Sequence, residues 1–176
     1  MWLTVINEKI IPALDEVGKG FEKKTVYLPQ LLMSAEAASR AFEAVKEKMG
    51  DKKGESKGRV VIATVKGDIH DIGKNIVKVL LENYGFEVID LGRDVAPERV
   101  LEAVKESEAK IVGLSALMTT TVDAMKETVE LLKREAPEVV TMVGGSGLTQ
   151  EYADMIGATW YGKDAMDAVR LACQHG

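Results

Sequence analysis

Short runs of apolar residues alternate, after residue 58, with stretches in which apolar residues recur every three or four positions. The short runs predict strands buried on both faces of a sheet, and the longer stretches predict amphipathic helices. The predicted strands cover residues 59–65, 86–91, 111–115, 139–143 and 159–161. Each strand is followed by a predicted helix, the helices beginning near residues 72, 97, 122, 150 and 165. This order is typical of the α/β class.

Five strand–helix units in succession predict a doubly wound, five-stranded parallel sheet with right-handed crossovers and helices on both faces. We expect the flavodoxin-like (Rossmann-like) strand order 2-1-3-4-5, because the full Rossmann order would need a sixth strand.

The first 50 residues follow a helical period instead. A first helix is predicted from Val5 to Val17, ended by Gly18 and Gly20, and a second from Leu28 to Val45, with Pro29 in its first turn. Residues 51–58 are polar and glycine-containing, which predicts a linker. The expected organisation is therefore a short, partial helical cap at residues 1–50, a linker at 51–58 and an α/β domain at 59–176.

Composition and charge narrow the class of protein. The chain is 46% hydrophobic and 29% charged, as in ordinary globular proteins. Its net charge of −5 argues against general nucleic-acid binding. A single cysteine, the lack of a secretory leader pattern and the lack of a long apolar run favour a cytoplasmic protein that does not cross a membrane.

Ligands of such sheets bind beyond the carboxyl ends of the strands, and one loop there contains a histidine between two aspartates. A carboxylate beside an imidazole can fix its tautomer, as Asp68 could for a metal-binding His70, and Gly73 leaves room for a bulky ligand. The alternative is that Asp71 caps the following helix and His70 is a solvated loop residue. A zinc site is disfavoured because no second histidine or cysteine lies in a suitable loop. The glycine–lysine pattern of a phosphate-binding loop is also lacking.

Three loops together resemble a known pattern. Asp68-x-His70-x-x-Gly73 follows the first predicted strand, Ser115-x-Leu117 the third, and Gly144-Gly145 the fourth. This resembles the base-off/His-on cobalamin-binding domains, in which a histidine displaces the cofactor's own dimethylbenzimidazole from cobalt. The freed nucleotide tail of the cofactor then enters a slot beside the sheet.

The resemblance implies a role for each matched residue. His70 would be the lower axial ligand of the metal, supported by Asp68 and by the hydroxyl of Thr121, and protonation of this relay would assist the change in cobalt coordination. Ser115 would line the tail slot, and Leu117 and Thr119 would lie near the cofactor. Gly144 and Gly145 would let the tail pass, although a tight turn is the favoured explanation of the pair taken alone. The same first loop would contribute further cofactor-binding residues, namely Gly67, Ile69, Asp71 and Gly73.

Residues 21–35 resemble the helical cap of methionine synthase and corrinoid methyltransferase proteins. Phe21 and Leu28 match the apolar residues that sit over the methyl group in those caps, although ordinary helix packing would also explain them. The likeness implies a methyl carrier that alternates between cob(I)alamin and methylcobalamin, most closely one that takes the methyl from methyltetrahydrofolate to homocysteine. The carrier would catalyse no complete turnover alone. Its partners would be folate, homocysteine and reactivation modules, or separate methyltransferase subunits.

Two alternatives remain open. A corrinoid carrier for methanol, methylamines or aryl methyl ethers has a similar cap and similar motifs. A flavodoxin-like signalling or binding domain without a cofactor belongs to a different class, but it leaves the three-loop match unexplained. A B12-sensing regulator would need a DNA-binding region, and none is visible.

The sequence also departs from the family pattern. The family cap usually has four helices, so two are expected to be missing, and bare cap surface would favour self-association or another partner. Ser146, Gly147 and Gly162 stand where alanine or a larger apolar residue is expected.

Overall fold

The computed structural model describes residues 5–49 and 56–175. The chain forms two compact units, Met1–Ser56 and Lys57–Gly176. Most of the predicted linker, residues 51–55, lies outside the described residues, so its boundaries stay a prediction. No helix in the described ranges is both long and apolar enough to cross a membrane.

The first unit contains a π-helical turn at Ile6–Ile10, helix α1 at Ile11–Glu22 and helix α2 at Leu28–Met49. The prediction that Gly18 and Gly20 end the first helix is wrong, because α1 continues to Glu22. Gly20 instead closes the turn after the helix: its carbonyl accepts the backbone N–H groups of Thr25 and Val26 at 2.8 and 3.0 Å. A Cβ at Gly20 would lie 2.6 Å from the Val26 side chain, so glycine permits this turn.

The second unit is a five-stranded parallel sheet in the order β2-β1-β3-β4-β5, which confirms the predicted flavodoxin-like topology. The strands are β1 (Arg59–Thr64), β2 (Glu87–Asp90), β3 (Ile111–Ser115), β4 (Val140–Gly144) and β5 (Trp160–Gly162). The helices are α3 (Ile72–Asn83), α4 (Pro97–Ser107), α5 (Val122–Glu135), α6 (Gln150–Ile156) and α7 (Ala165–His175). A single 3₁₀ turn, Thr119–Thr121, precedes α5.

The three central strands, β1, β3 and β4, are largely apolar because helices cover both faces of the sheet. In β1, Val60 through Thr64 are all buried. Alternate side chains point to opposite faces, and on one face the core joins Val61 and Ala63 to Val104 of α4 and Met125 of α5. Helices α3 and α7 pack against each other.

The register brings the strand ends together at one edge. Thr64 of β1 pairs with Ser115 of β3, which in turn pairs with Gly144 of β4. The loops after these three strands therefore begin side by side, and the loop after β2 joins them through a parallel bridge between Val65 and Val95. The sheet thus assembles the predicted site from segments far apart in sequence.

Candidate functional site

An aspartate buried beneath an exposed histidine forms the centre of this edge. The Asp68 side chain is fully buried, whereas that of His70 is 47% exposed. Nδ1 of His70 lies 2.8 Å from Oδ1 of Asp68, and the same oxygen accepts the backbone N–H of His70 at 2.9 Å. Because a carboxylate accepts, Nδ1 carries the proton, and in the neutral imidazole this tautomer leaves the lone pair on Nε2. No described residue forms a hydrogen bond with Nε2, so that nitrogen is available to a metal.

The second oxygen of Asp68 is bound by the loop after β3. Oδ2 accepts the backbone N–H groups of Leu117 at 2.8 Å and Met118 at 3.3 Å. Burial alone would raise the pKa of Asp68. The hydrogen bonds from His70, Leu117 and Thr121 outweigh that effect and hold the pKa of Asp68 well below its usual range. Asp68 is therefore a carboxylate, as a partner for the imidazole N–H must be.

The Thr121 hydroxyl completes the group that the sequence predicted. Its oxygen lies 3.0 Å from Oδ2 of Asp68 and 2.8 Å from the carbonyl oxygen of Met118. A hydroxyl has one proton, so it donates to one of these acceptors at a time. Thr121 is buried, and the structure brings it together with Asp68 and His70 although more than 50 residues separate it from Asp68.

The loop after β2 also reaches the site, and sequence reasoning missed it. Oδ1 of Asp94 accepts the backbone N–H of Gly67 at 2.8 Å, and the backbone N–H of Asp94 donates to the carbonyl of Asp68 at 2.9 Å. The sequence does contain a signal for it: Asp94 is an aspartate that follows the second predicted strand, and this strand ends at the same edge of the sheet as the strand before His70.

A buried ion pair supports the same region from below. Nζ of Lys74, in the first turn of α3, lies 2.6 Å from Oδ1 of Asp90 at the end of β2. Asp90 also accepts the N–H of Gly92, whose carbonyl accepts the N–H of Thr64. Burial opposes ionisation of Asp90, but the hydrogen bonds from Lys74 and Gly92 and the positive charge of Lys74 lower the pKa of this carboxyl. The pair ties the helix that follows His70 to the neighbouring strand.

The glycines after β4 let two loops approach each other. A Cβ on Gly145, whose φ is +135°, would lie 1.9 Å from the carbonyl oxygen of Ala116. A Cβ on Gly147 would lie 2.3 Å from the carbonyl oxygen of Leu117. Gly147, which departs from the family pattern, therefore fits against the residue whose N–H binds Asp68. A Cβ on Gly162 would meet nothing closer than 3.6 Å, and the structure gives no reason for glycine there.

The other residues predicted from the first loop lie beside His70. Asp71 is the N-cap residue of α3, as the alternative predicted, but its side chain makes no capping hydrogen bond. Gly73 has open space where a Cβ would be. Ile69 and Ile72 are exposed, at 61% and 75%.

Four further predicted residues lie at the same edge or in the other unit. Ser115 ends β3 and Thr119 is exposed at the start of the 3₁₀ turn. Phe21 is half-buried near the end of α1, and Leu28 is 39% exposed at the start of α2. The cofactor contacts assigned to these four residues stay predictions, as do those assigned to the other predicted site residues.

The donor set fits a cobalt-centred ring better than a metal held by protein alone. No cluster of three or more histidine, cysteine, aspartate or glutamate side chains occurs within residues 5–49 and 56–175. One imidazole nitrogen is offered, and the two loops that meet at Asp68 carry exposed apolar side chains, including Leu117 and Met118. A single axial nitrogen with an apolar surround suits a large ring that already occupies the metal's equatorial positions.

Comparison with protein families agrees with this geometry. A family model described as the B12 binding domain matches residues 58–170, and a second model with the same description matches residues 2–46. The chain belongs to the B12 binding domain family. The chain is therefore a cobalamin-binding protein, as predicted, with a short helical cap before its α/β domain.

Several relatives of this B12-binding chain are corrinoid proteins. Dimethylamine corrinoid protein 1 of Methanosarcina acetivorans is 43% identical over 171 residues, which cover 96% of this chain and 80% of that protein. Trimethylamine corrinoid protein 1 of the same organism is 44% identical over 169 residues, covering 94% and 78%. In the crystal structure of the methanol:cobalamin methyltransferase complex of Methanosarcina barkeri, one chain superposes with a TM-score of 0.84 at 34% identity, covering 99% of this chain and 69% of that one.

These relatives change one prediction. Methionine synthesis, with its folate and homocysteine modules, is not supported for this B12-binding chain, and the alternative of a corrinoid protein from an amine or methanol system fits better. Sequence reasoning favoured methionine synthase because the site motifs and the cap segment are shared by both groups.

Proposed function

We propose that this protein is a corrinoid methyl carrier that works with separate methyltransferase subunits in a methylamine or methanol system. The observation that carries the proposal is its identity to dimethylamine and trimethylamine corrinoid proteins along nearly its whole length. Bound cobalamin would supply a cobalt atom that accepts a methyl group from one substrate and gives it to another.

The residues of the chain would bind and orient this group. His70 would hold the cobalt through Nε2, while Asp68 keeps the proton on Nδ1 and fixes the orientation of the imidazole. The N–H groups of Leu117 and Met118 and the hydroxyl of Thr121 hold Asp68 in turn. Exposed apolar side chains beside His70 would cover part of the ring and exclude water from the metal.

The axial ligand is tested by electron paramagnetic resonance of the protein loaded with cob(II)alamin. In protein produced with histidine labelled with nitrogen-15, the splitting of each cobalt line by the coordinated nitrogen should change from three lines to two. His70→Ala should abolish this change. His175→Ala is the matched control, because His175 is the other histidine of the chain and lies at the end of α7, and it should leave the signal unaltered.

The substrate system is tested by single-turnover methyl transfer. The reduced, cobalamin-loaded protein is mixed with a dimethylamine, trimethylamine or methanol methyltransferase and its substrate. The expected result is that one substrate molecule loses a methyl group for each cobalamin-loaded carrier molecule. Transfer only from methyltetrahydrofolate to homocysteine, with the corresponding modules, would overturn the proposal and restore the methionine assignment.

A further inference from the structure

The loop after β2 holds the backbone just before His70 at two adjacent points. Asp94 makes both contacts, accepting the N–H of Gly67 with its side chain and donating its own N–H to the carbonyl of Asp68. These two hydrogen bonds, at the residues three and two positions before His70, limit how the loop can turn. The direction in which His70 points therefore depends on residue 94 as well as on Asp68.

The two facing residues adopt the same unusual backbone conformation. Gly67 has a φ of +84° and Asp94 a φ of +55°. Left-handed backbone is uncommon for residues other than glycine, although aspartate and asparagine adopt it more readily than the rest. A residue in this conformation persists only where its surroundings hold it. At Asp94 the conformation aims both the side chain and the N–H at the His70 loop.

Asp94 is itself fixed to the sheet by the residue that follows it. Val95 is buried, its N–H donates to the carbonyl of Thr64 at 3.1 Å, and it forms a parallel bridge with Val65. The loop after β2 is thus an extension of the sheet edge. Because Asp94 precedes Val95, its hydrogen bonds to Gly67 and Asp68 connect the His70 loop to that edge.

We propose that Asp94 is a positioning residue for the cobalt ligand. It holds Gly67 and Asp68 so that Asp68 keeps the imidazole of His70 directed at the metal. The proposal rests on His70 being the axial ligand, as proposed above. It concerns hydrogen-bond acceptance and backbone conformation, not the charge of Asp94.

A series of variants separates these two contributions. Asp94→Asn keeps an acceptor oxygen and a residue type that tolerates left-handed backbone, so it should behave like the wild type. Asp94→Gly keeps the conformation but loses the acceptor, and Asp94→Ala loses the acceptor and strains the backbone. The fraction of cob(II)alamin with a histidine nitrogen bound, measured with labelled histidine, should fall in the order Asn, Gly, Ala. The apparent dissociation constant for hydroxocobalamin should rise about fivefold for Asp94→Ala, as expected for the loss of one ordinary hydrogen bond.

A double-mutant cycle distinguishes positioning from a general structural role. In the His70→Ala background, Asp94→Ala should add little further loss of hydroxocobalamin affinity, because the residue through which Asp94 acts is gone. An equal loss in both backgrounds would overturn the proposal, and so would an Asp94→Ala protein with the wild-type fraction of histidine-bound cobalt. If the wild type itself showed no histidine nitrogen on cobalt, the proposed axial ligand would fail instead.

Discussion

Replacing Gly147 by alanine should weaken the backbone hydrogen bonds to the Asp68 carboxylate without changing either Asp68 or His70 itself. The new Cβ would lie 2.3 Å from the carbonyl oxygen of Leu117 and 2.9 Å from its carbonyl carbon. Ordinary contact begins at 3.4 Å, so the two backbone segments have to separate by about 1 Å. The peptide that moves carries the N–H of Met118, and the N–H of Leu117 is its neighbour.

The size of the effect follows from these distances. The N–H of Met118 is already 3.3 Å from Oδ2 of Asp68, and a shift of about 1 Å takes it out of hydrogen-bonding range, while the 2.8 Å bond from Leu117 is stretched. Losing a hydrogen bond to a buried charge costs about 1.5–3 kcal/mol. Alanine restricts the unfolded chain and returns about 0.4–1 kcal/mol. We expect a net loss of about 1–2 kcal/mol in the free energy of unfolding.

The assay is thermal unfolding of the cofactor-free protein together with hydrogen exchange at the amides of Leu117 and Met118. At about 2–4 °C per kcal/mol for a chain of this size, the midpoint should fall by roughly 2–8 °C, and both amides should exchange faster. Gly162→Ala is the matched control, since its Cβ would meet only ordinary contacts. Equal midpoints and equal amide exchange in the two variants would refute the argument.

Three further changes test other contacts. Thr121→Val should lower the free energy of unfolding by about 1–2 kcal/mol in urea titrations, whereas Thr121→Ser, which keeps the hydroxyl, should lose less. Lys74→Met should cost about 2 kcal/mol in the same assay, because it removes the buried cation that contacts Asp90 and leaves this largely buried carboxylate with the more distant Lys78, 3.9 Å away. Arg170→Met on the exposed face of α7 serves as control. The lowered pKa of Asp90 means that its ionised form stabilises the fold above the pKa of the unfolded chain and that this stability is lost as the pH falls through the folded pKa. As the pH falls below about 4, the ordinary pKa of an aspartate, stability should therefore decline less steeply in Asp90→Asn than in the wild type.

The sheet was predictable from local patterns. Each strand is a short apolar run flanked by a turn, and the right-handed crossover rule leaves few ways to arrange five such units. Helix propensity predicts too short a first helix, because Gly18 and Gly20 are poor helix formers. The turn at Thr25 and Val26 needs a glycine at position 20, within the last turn of that helix. Local propensity was overruled there by a contact five and six residues away.

Within the site, the central residues were predictable and their support was not. His70, Asp68 and Thr121 carry recognisable chemistry and follow strands that end at one edge. Asp94 acts through a left-handed backbone conformation, and Gly147 through its approach to a carbonyl about 30 residues away in sequence. Neither property is encoded in the local pattern around those residues, so both became visible only when the loops were seen together.

The way in which Asp68 is held has a consequence for evolution of the surface around it. Three of its hydrogen bonds come from main-chain N–H groups, at His70, Leu117 and Met118, and every residue except proline supplies such a donor. The side chains at positions 117 and 118 are therefore not needed to bind Asp68. Substitutions at these two positions can therefore change the apolar surface of this loop while Asp68 and His70 stay in place.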